Sequence, residues 1–150
     1  MTYRVEASAD VHAPADRVYT IIADFRQHHS KITPPKYFGP VTIEQGGIGA
    51  GTIIRFPMTV LGRTVDCRSI ITEPEPGRVL VETETNTKTV TTFTVGAAGN
   101  GSSHVTISSH FTRIDGLLGA VERWITQRVI PGVYAEELRL LEKYARHLSS

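Results

Sequence analysis

The C-terminal quarter of the chain sets the strongest constraint. From Asp115 to Ser150, heptad spacing lines up Leu117, Trp124, Pro131, Leu138 and Ala145, with Ala120, Gln127, Tyr134, Leu141 and Leu148 beside them. A mostly apolar stripe flanked by Glu122, Arg123, Arg128, Glu136, Arg139, Glu142, Lys143 and Arg146 is the pattern of an amphipathic helix. Pro131-Gly132 interrupts it, because proline lacks a backbone donor and its ring clashes with the preceding turn. The apolar phase carries across that point, which predicts one long kinked helix rather than two. Such a helix runs roughly 50 Å, against a radius of gyration near ~15 Å for a chain of this size. It has to span the molecule, and the remaining residues have to cover its stripe.

Those residues read almost entirely as strand and turn. Residues 3 to 13 alternate, with Tyr3, Val5, Ala7, Ala9, Val11 and Ala13 on one face and Arg4, Glu6, Ser8, Asp10 and His12 on the other. Pro14 suits a first helical position, and Val18, Tyr19, Ile21, Ile22 and Phe25 give a short amphipathic helix. At most one further helical turn fits before Pro34-Pro35. Strands follow at Val41–Gln45, Thr52–Val60, Thr64–Thr72, Arg78–Thr85, Lys88–Val95 and Ser103–Thr112, separated by glycine- or proline-containing turns and by Asn86-Thr87. No helix lies between them, so the sheet is antiparallel. Pro57 inside a strand predicts an edge, bulge or bend. Strands segregated from one long helix make an α+β domain, most economically a strongly curved sheet wrapped around that helix.

The whole length, residues 1 to 150, is expected to form one domain. A formal net charge of +1 argues against a nucleic-acid binder, which depends on neutralising phosphates. No apolar run reaches the length of a membrane span and no signal-peptide pattern opens the chain, so stable membrane insertion is not expected and a cytoplasmic protein is. The single Cys67 excludes an internal disulfide and a cysteine-based zinc site.

The run Val11-x-Ala13-Pro14-Ala15-x-x-Val18-Tyr19, followed by Ala23-Asp24-Phe25, resembles the opening of the START-like (SRPBCC) superfamily. So do Gly49-x-Gly51-Thr52 before a strand, Pro76-Gly77-Arg78, Gly101 before a strand, and a helix ending Leu138-x-x-Leu141-x-x-Tyr144. Within that superfamily the chain is most similar to the polyketide cyclase/dehydrase-like group, over essentially its full length. The resemblance implies the helix-grip fold, a curved seven-stranded antiparallel sheet around a long C-terminal helix, with a cavity that holds apolar or amphipathic small molecules. It implies no single reaction, because that group mixes cyclases, carriers and chaperone-like modules.

Several chemical motifs can be weighed from the residues alone. Gly46-Gly47-Ile48-Gly49-Ala50-Gly51 opens a strand, whereas a phosphate loop must open a helix whose amides face the anion, so the run reads as a turn. The six histidines show no His-x-x-x-His or Glu-x-x-His spacing, so no metal is expected, and no cofactor motif is present. His28 or His29 could touch a ligand at a cavity mouth, and His28 is taken as the candidate.

The inner face of the sheet is the informative feature. Treating Glu82 and Glu84 as solvent-facing turns Val79, Val81, Thr83 and Thr85 inward. Neighbouring strands then contribute Ile54, Phe56, Met58 and Val60; Val65, Cys67, Ser69 and Ile71; Thr89, Thr91, Phe93 and Val95; and Val105, Ile107, Ser109 and Phe111. Apolar walls with scattered hydroxyls are what a small-molecule pocket needs. The candidate ligand-binding set is Phe56, Met58, Cys67, Ser69, Val81, Thr83, Thr91, Phe93, Ile107 and Ser109 from the sheet, Trp124 from the helix, and His28. In these phases no Asp, Glu, Lys or His points inward, so no catalytic residue is assigned. The leading expectation is a carrier or sensor of a lipid- or polyketide-like molecule. A cyclase/dehydratase-like enzyme using the same cavity and an interaction module with a vestigial cavity are the alternatives.

Overall fold

A computed structural model describes residues 1–148. The elements follow the predicted order: β1 (Thr2–Val11), α1 (Ala15–Ala23), a 3-10 turn at His29–Lys31, β2 (Thr42–Gln45), β3 (Ile53–Val60), β4 (Arg63–Glu75), β5 (Val79–Glu84), β6 (Val90–Gly99), β7 (Ser102–Thr112) and α2 (Gly116–Leu148). The seven strands form one antiparallel sheet in the order β1-β7-β6-β5-β4-β3-β2, and α2 packs against it. This is the α+β, helix-grip arrangement the sequence predicts.

Strand β1 joins the sheet through a long ladder with β7, from Thr2 opposite Thr112 to Val11 opposite Ser103. Its small residues Ala7 and Ala9 sit beside Ile107 and Val105, in the part of the core that α2 covers. Pro14 lies one position before α1 rather than within it, and its carbonyl accepts the first helical bond, from Val18 N at 3.0 Å. The glycine run is a turn, as its strand context predicts. It docks on the end of α1, Phe25 N donating to Gly47 O and Gly49 N to Ala23 O, both at 2.9 Å. Gly49 has φ +64°, a left-handed conformation that favours glycine, and a Cβ there would push aside the Glu73 carboxylate, 2.2 Å away. Pro57 lies beyond Arg55, where β3 stops pairing with β2, and its carbonyl takes Gly39 N instead. Two strands outrun their predicted ends: β4 continues through Pro74 with an irregularity before Glu75, and β6 continues to Gly99.

Helix α2 runs unbroken through Pro131, as the continuous apolar phase predicts. The predicted extension to Ser149 and Ser150 lies outside the described residues. The stripe itself needs correcting. From Ile130 onward Val133, Tyr134, Leu138, Leu141 and Ala145 are buried, but Leu117, Leu118, Val121 and Trp124 are exposed. A straight α-helix drifts about 20° per heptad, so three heptads rotate Leu117 about 60° away from the line of Leu138. The track that stays over the sheet steps back instead through Glu137, Tyr134, Ile130, Thr126 and Glu122. The first half of α2 therefore roofs an open space.

Candidate functional site

That space is a cavity of about 460 Å³ between the concave face of the sheet and α2. Its blind end is made by His29, Ile54, Ser69, Phe93, Ile130, Tyr134 and Glu137, all buried, together with Glu82. Exposed lining residues mark its mouth: Val65 and Asp66 from β4, Asn86 and Thr87 from the β5–β6 turn, Ile114 from the link before α2, and Glu122 from the first half of α2.

The structure sorts the predicted ligand-binding residues into three groups. Phe56, Met58, Cys67, Ser69, Thr91 and Phe93 lie on the cavity wall. Ile107 and Ser109 face the same side but are fully covered, Ser109 sitting behind the wall with its hydroxyl between Thr91 (2.6 Å) and Tyr134. Val81, Thr83, Trp124 and His28 are misplaced by the sequence reading. Val81 and Thr83 pair with Thr92 and Val90 on the outer face of the sheet. Trp124 is 63% exposed, turned away by the helical drift, and its ring carries the Arg128 guanidinium at 5.8 Å. His28 Nδ1 is 2.7 Å from the Tyr144 hydroxyl, which holds it against α2 instead of the cavity.

The inversion of β5 is the consequential correction. Leu80, Glu82 and Glu84 point inward, set by pairing of Leu80 with Phe93 and of Glu82 with Thr91. The inner face therefore carries ionisable groups after all. Treating glutamates as solvent-facing misleads the phase, although Leu80, the largest apolar residue of that strand, is fully buried and shares parity with both. Glu84 is satisfied at its end of the strand, accepting from Thr87 N at 2.7 Å and Asn86 N at 3.0 Å. Glu82 is not, for its Oε1 is buried without a hydrogen-bond partner among the described residues. Burial pushes its carboxyl up to about 7.

Histidine 29 completes the deep cluster. The chain turns back after α1, where Asp24 O accepts His29 N at 2.8 Å, and the imidazole packs at 4.3 Å on Phe25 and edge-on to Phe93. Its Nδ1 lies 2.7 Å from the carbonyl of Ile22; a carbonyl only accepts, so Nδ1 holds the proton and Nε2 presents a lone pair. Burial pushes this imidazole down to about 4, so it is neutral near pH 7. Nε2 faces Glu82 Oε1 at 3.7 Å. From α2, Glu137 is 4% exposed and lines the same space; burial, then the Glu82 charge, hold its carboxyl well above the usual range. No hydrogen bond or ion pair from a described residue reaches the Glu137 side chain. Burial pushes the Tyr134 phenol up to about 12, and its hydroxyl meets Ser109, so it is a neutral donor–acceptor in the wall. Among the described residues no three His, Cys, Asp or Glu side chains converge as metal ligands would, and no helix is long and apolar enough to cross a membrane.

Comparison with known proteins follows the same lines. A family model described as polyketide cyclase / dehydrase and lipid transport matches residues 2–146. Among solved structures, the chain superposes on the KanY protein with a TM-score of 0.85 at 22% identity, covering 97% of this chain and 99% of that one. The protein TTHA0849 from Thermus thermophilus gives a TM-score of 0.79 at 19% identity, over 99% of this chain and 100% of that one. The Zhui aromatase/cyclase from a Streptomyces species gives 0.81 at 20% identity, over 100% and 97%. No curated protein matches in sequence.

Proposed function

We propose that this chain, which belongs to the polyketide cyclase / dehydrase and lipid transport family, holds an apolar or amphipathic small molecule between its sheet and α2, as a cytoplasmic carrier or sensor. The whole chain would act as one START-like ligand-binding domain. The observation that carries the reading is the cavity of about 460 Å³, whose exposed wall surface is mostly apolar, with polar side chains interspersed at its blind end and its mouth. Phe56, Met58, Cys67, Ser69, Thr91 and Phe93 would meet the ligand body, with Glu82, His29 and Glu137 receiving its polar end. Native mass spectrometry of the freshly purified protein, beside titration with the neutral dye Nile red, tests it. One-to-one saturable uptake, or a co-purified compound, is expected. Neither appearing would remove the reading.

A second reading, cyclase/dehydratase-like turnover in the same cavity, is favoured by one observation. Glu82, a buried acid held near 7, faces the bare Nε2 of a neutral imidazole. A group poised near the working pH is what general acid–base chemistry needs. Deuterium exchange at the α-carbon of a bound 1,3-diketone, followed by NMR and lost in Glu82→Gln, is the expected sign. Exchange at the solvent rate in the parent protein would leave binding alone. The vestigial-cavity alternative finds less support, since the interior is open; the exposed Leu117, Leu118, Val121 and Trp124 are the surface it would use.

A further inference from the structure

We propose that the cavity selects amphiphilic cations: molecules with an apolar or aromatic body and one amine or ammonium group, seated with that group between Glu82 and Glu137. The inference rests on the cavity reading above and names its ligand class.

The charge of the lining is one-sided. Asp66, Glu82, Glu84, Glu122 and Glu137 contribute to it, whereas none of the 16 Lys and Arg residues does. Overall composition does not explain this, because the chain as a whole carries a formal charge of +1. Structural duties account for part of the acidic set. Glu84 caps the β5–β6 turn, Asp66 lies 3.8 Å from Arg55, and Glu122 stands exposed at the mouth. Two acids at depth have no such duty. Glu82 presents an oxygen without a hydrogen-bond partner, and Glu137, almost fully buried on the facing helix, has neither hydrogen bond nor ion pair among the described residues.

Buried carboxyl groups ordinarily have a cation or N–H donors beside them. Here the nitrogen facing Glu82 is His29 Nε2, 3.7 Å away, and its ring has already committed its proton to the Ile22 carbonyl. The fold thus supplies carboxyl oxygens from two opposed elements, β5 and α2, and no lysine or arginine beside them. A ligand ammonium carries up to three N–H donors and a positive charge, which is the complement of that arrangement. The remaining wall suits the rest of such a molecule. Phe56, Phe93 and Tyr134 border the same space, and aromatic faces attract cations as well as apolar bodies. Burial raises both carboxyls, Glu82 to about 7 and Glu137 well above the usual range, and a cation beside them favours their charged, acceptor-only form. An anionic ligand would find no lysine or arginine in the lining to pair with.

Three probes of one shape test the class: 4-phenylbutylamine, 4-phenylbutan-1-ol and 4-phenylbutyrate, each titrated calorimetrically into the full-length protein at pH 7.5. The amine is expected to bind more tightly than the alcohol by about tenfold or more, with the carboxylate weakest. Glu82→Gln and Glu137→Gln are each expected to weaken the amine more than the alcohol, shrinking the amine's advantage, as for loss of a charge partner. An alcohol or carboxylate that binds as tightly as the amine overturns the ligand class while leaving the cavity reading standing. An advantage for the amine that survives both substitutions unchanged overturns the assignment to these two carboxyls. Failure of all three probes while Nile red is still taken up overturns this ligand class and leaves the cavity reading standing; failure of Nile red as well removes both. The comparison among probes on the parent protein holds even where a variant does not fold.

Discussion

Replacing Glu82 by glutamine removes a titrating group from the blind end of the cavity while keeping the side chain's shape. In the folded protein its carboxyl is raised from 4.5 to about 7, with burial as the cause. The folded state therefore binds more protons than the unfolded chain between those two values. Stability from this group is fully present below pH 4.5 and is lost as pH rises through about 7. At about 1.4 kcal/mol per pH unit the loss amounts to roughly 3 kcal/mol by pH 8. His29 works the other way: its value is lowered from 6.5 to about 4, so its contribution grows as pH rises across that window. The two effects nearly cancel between pH 4.5 and 6.5 in the parent, so the parent's own curve discriminates poorly. The difference between variant and parent isolates Glu82, because His29 is common to both. Urea unfolding of both proteins from pH 4.5 to 8 should show Glu82→Gln gaining roughly 3 kcal/mol relative to the parent across that range. Release of Glu137 from the neighbouring charge adds in the same direction. A difference that stays flat with pH would show that Glu82 ionises normally, and the argument for a buried, poised acid would fail.

Other expected outcomes follow from burial. Trp124→Ala should cost less than about 1 kcal/mol, since most of the ring is in water, whereas Leu141→Ala, 1% exposed, should cost about 2–5 kcal/mol in the same assay. Equal costs would contradict the rotation of the helix stripe. The parent protein's tryptophan emission should have the long wavelength of an exposed indole, and a strongly blue-shifted maximum would say the same. Burial, then the charges of Glu84, Asp66 and Glu82, push the Cys67 thiol up to about 11, so its thiolate fraction at pH 8 is about a hundredth of that of an ordinary thiol. Alkylation by iodoacetamide should be slower than that of free cysteine by a similar factor, and a rate near that of the free amino acid would refute the burial argument.

The elements are legible in the sequence because turn chemistry and element order are local signals. Gly99-Asn100-Gly101, Asn86-Thr87 and the strict alternation of β1 each announce themselves within a few residues, and α2 is visible through 3.6-residue spacing alone. The site is less legible, for two separable reasons. Helical phase extrapolated at strict heptad spacing from the buried end accumulates drift, which puts Trp124 on the wrong side. Strand phase in β5, assigned by charge, follows the rule that glutamates face water. That rule summarises desolvation energies, and a binding or catalytic site is where it is broken, because a polar group without a partner in the fold is available to a ligand. Leu80, on the same face as Glu82 and Glu84, argues that this face points inward, the opposite of what the two glutamates suggest. The fault lies in weighing two charges above one large apolar side chain, since a strand end can satisfy one glutamate through its own turn, as Glu84 does with Asn86 and Thr87. Once Glu84 is discounted as a turn cap, Leu80 stands against Glu82 alone. Full burial of a leucine is worth about 1.5–3 kcal/mol, close to the roughly 3 kcal/mol that Glu82 forgoes by staying protonated up to about 7. The apolar and ionic preferences of β5 are thus nearly balanced, and the pairing of Leu80 with Phe93 decides between them in favour of an acid inside the cavity.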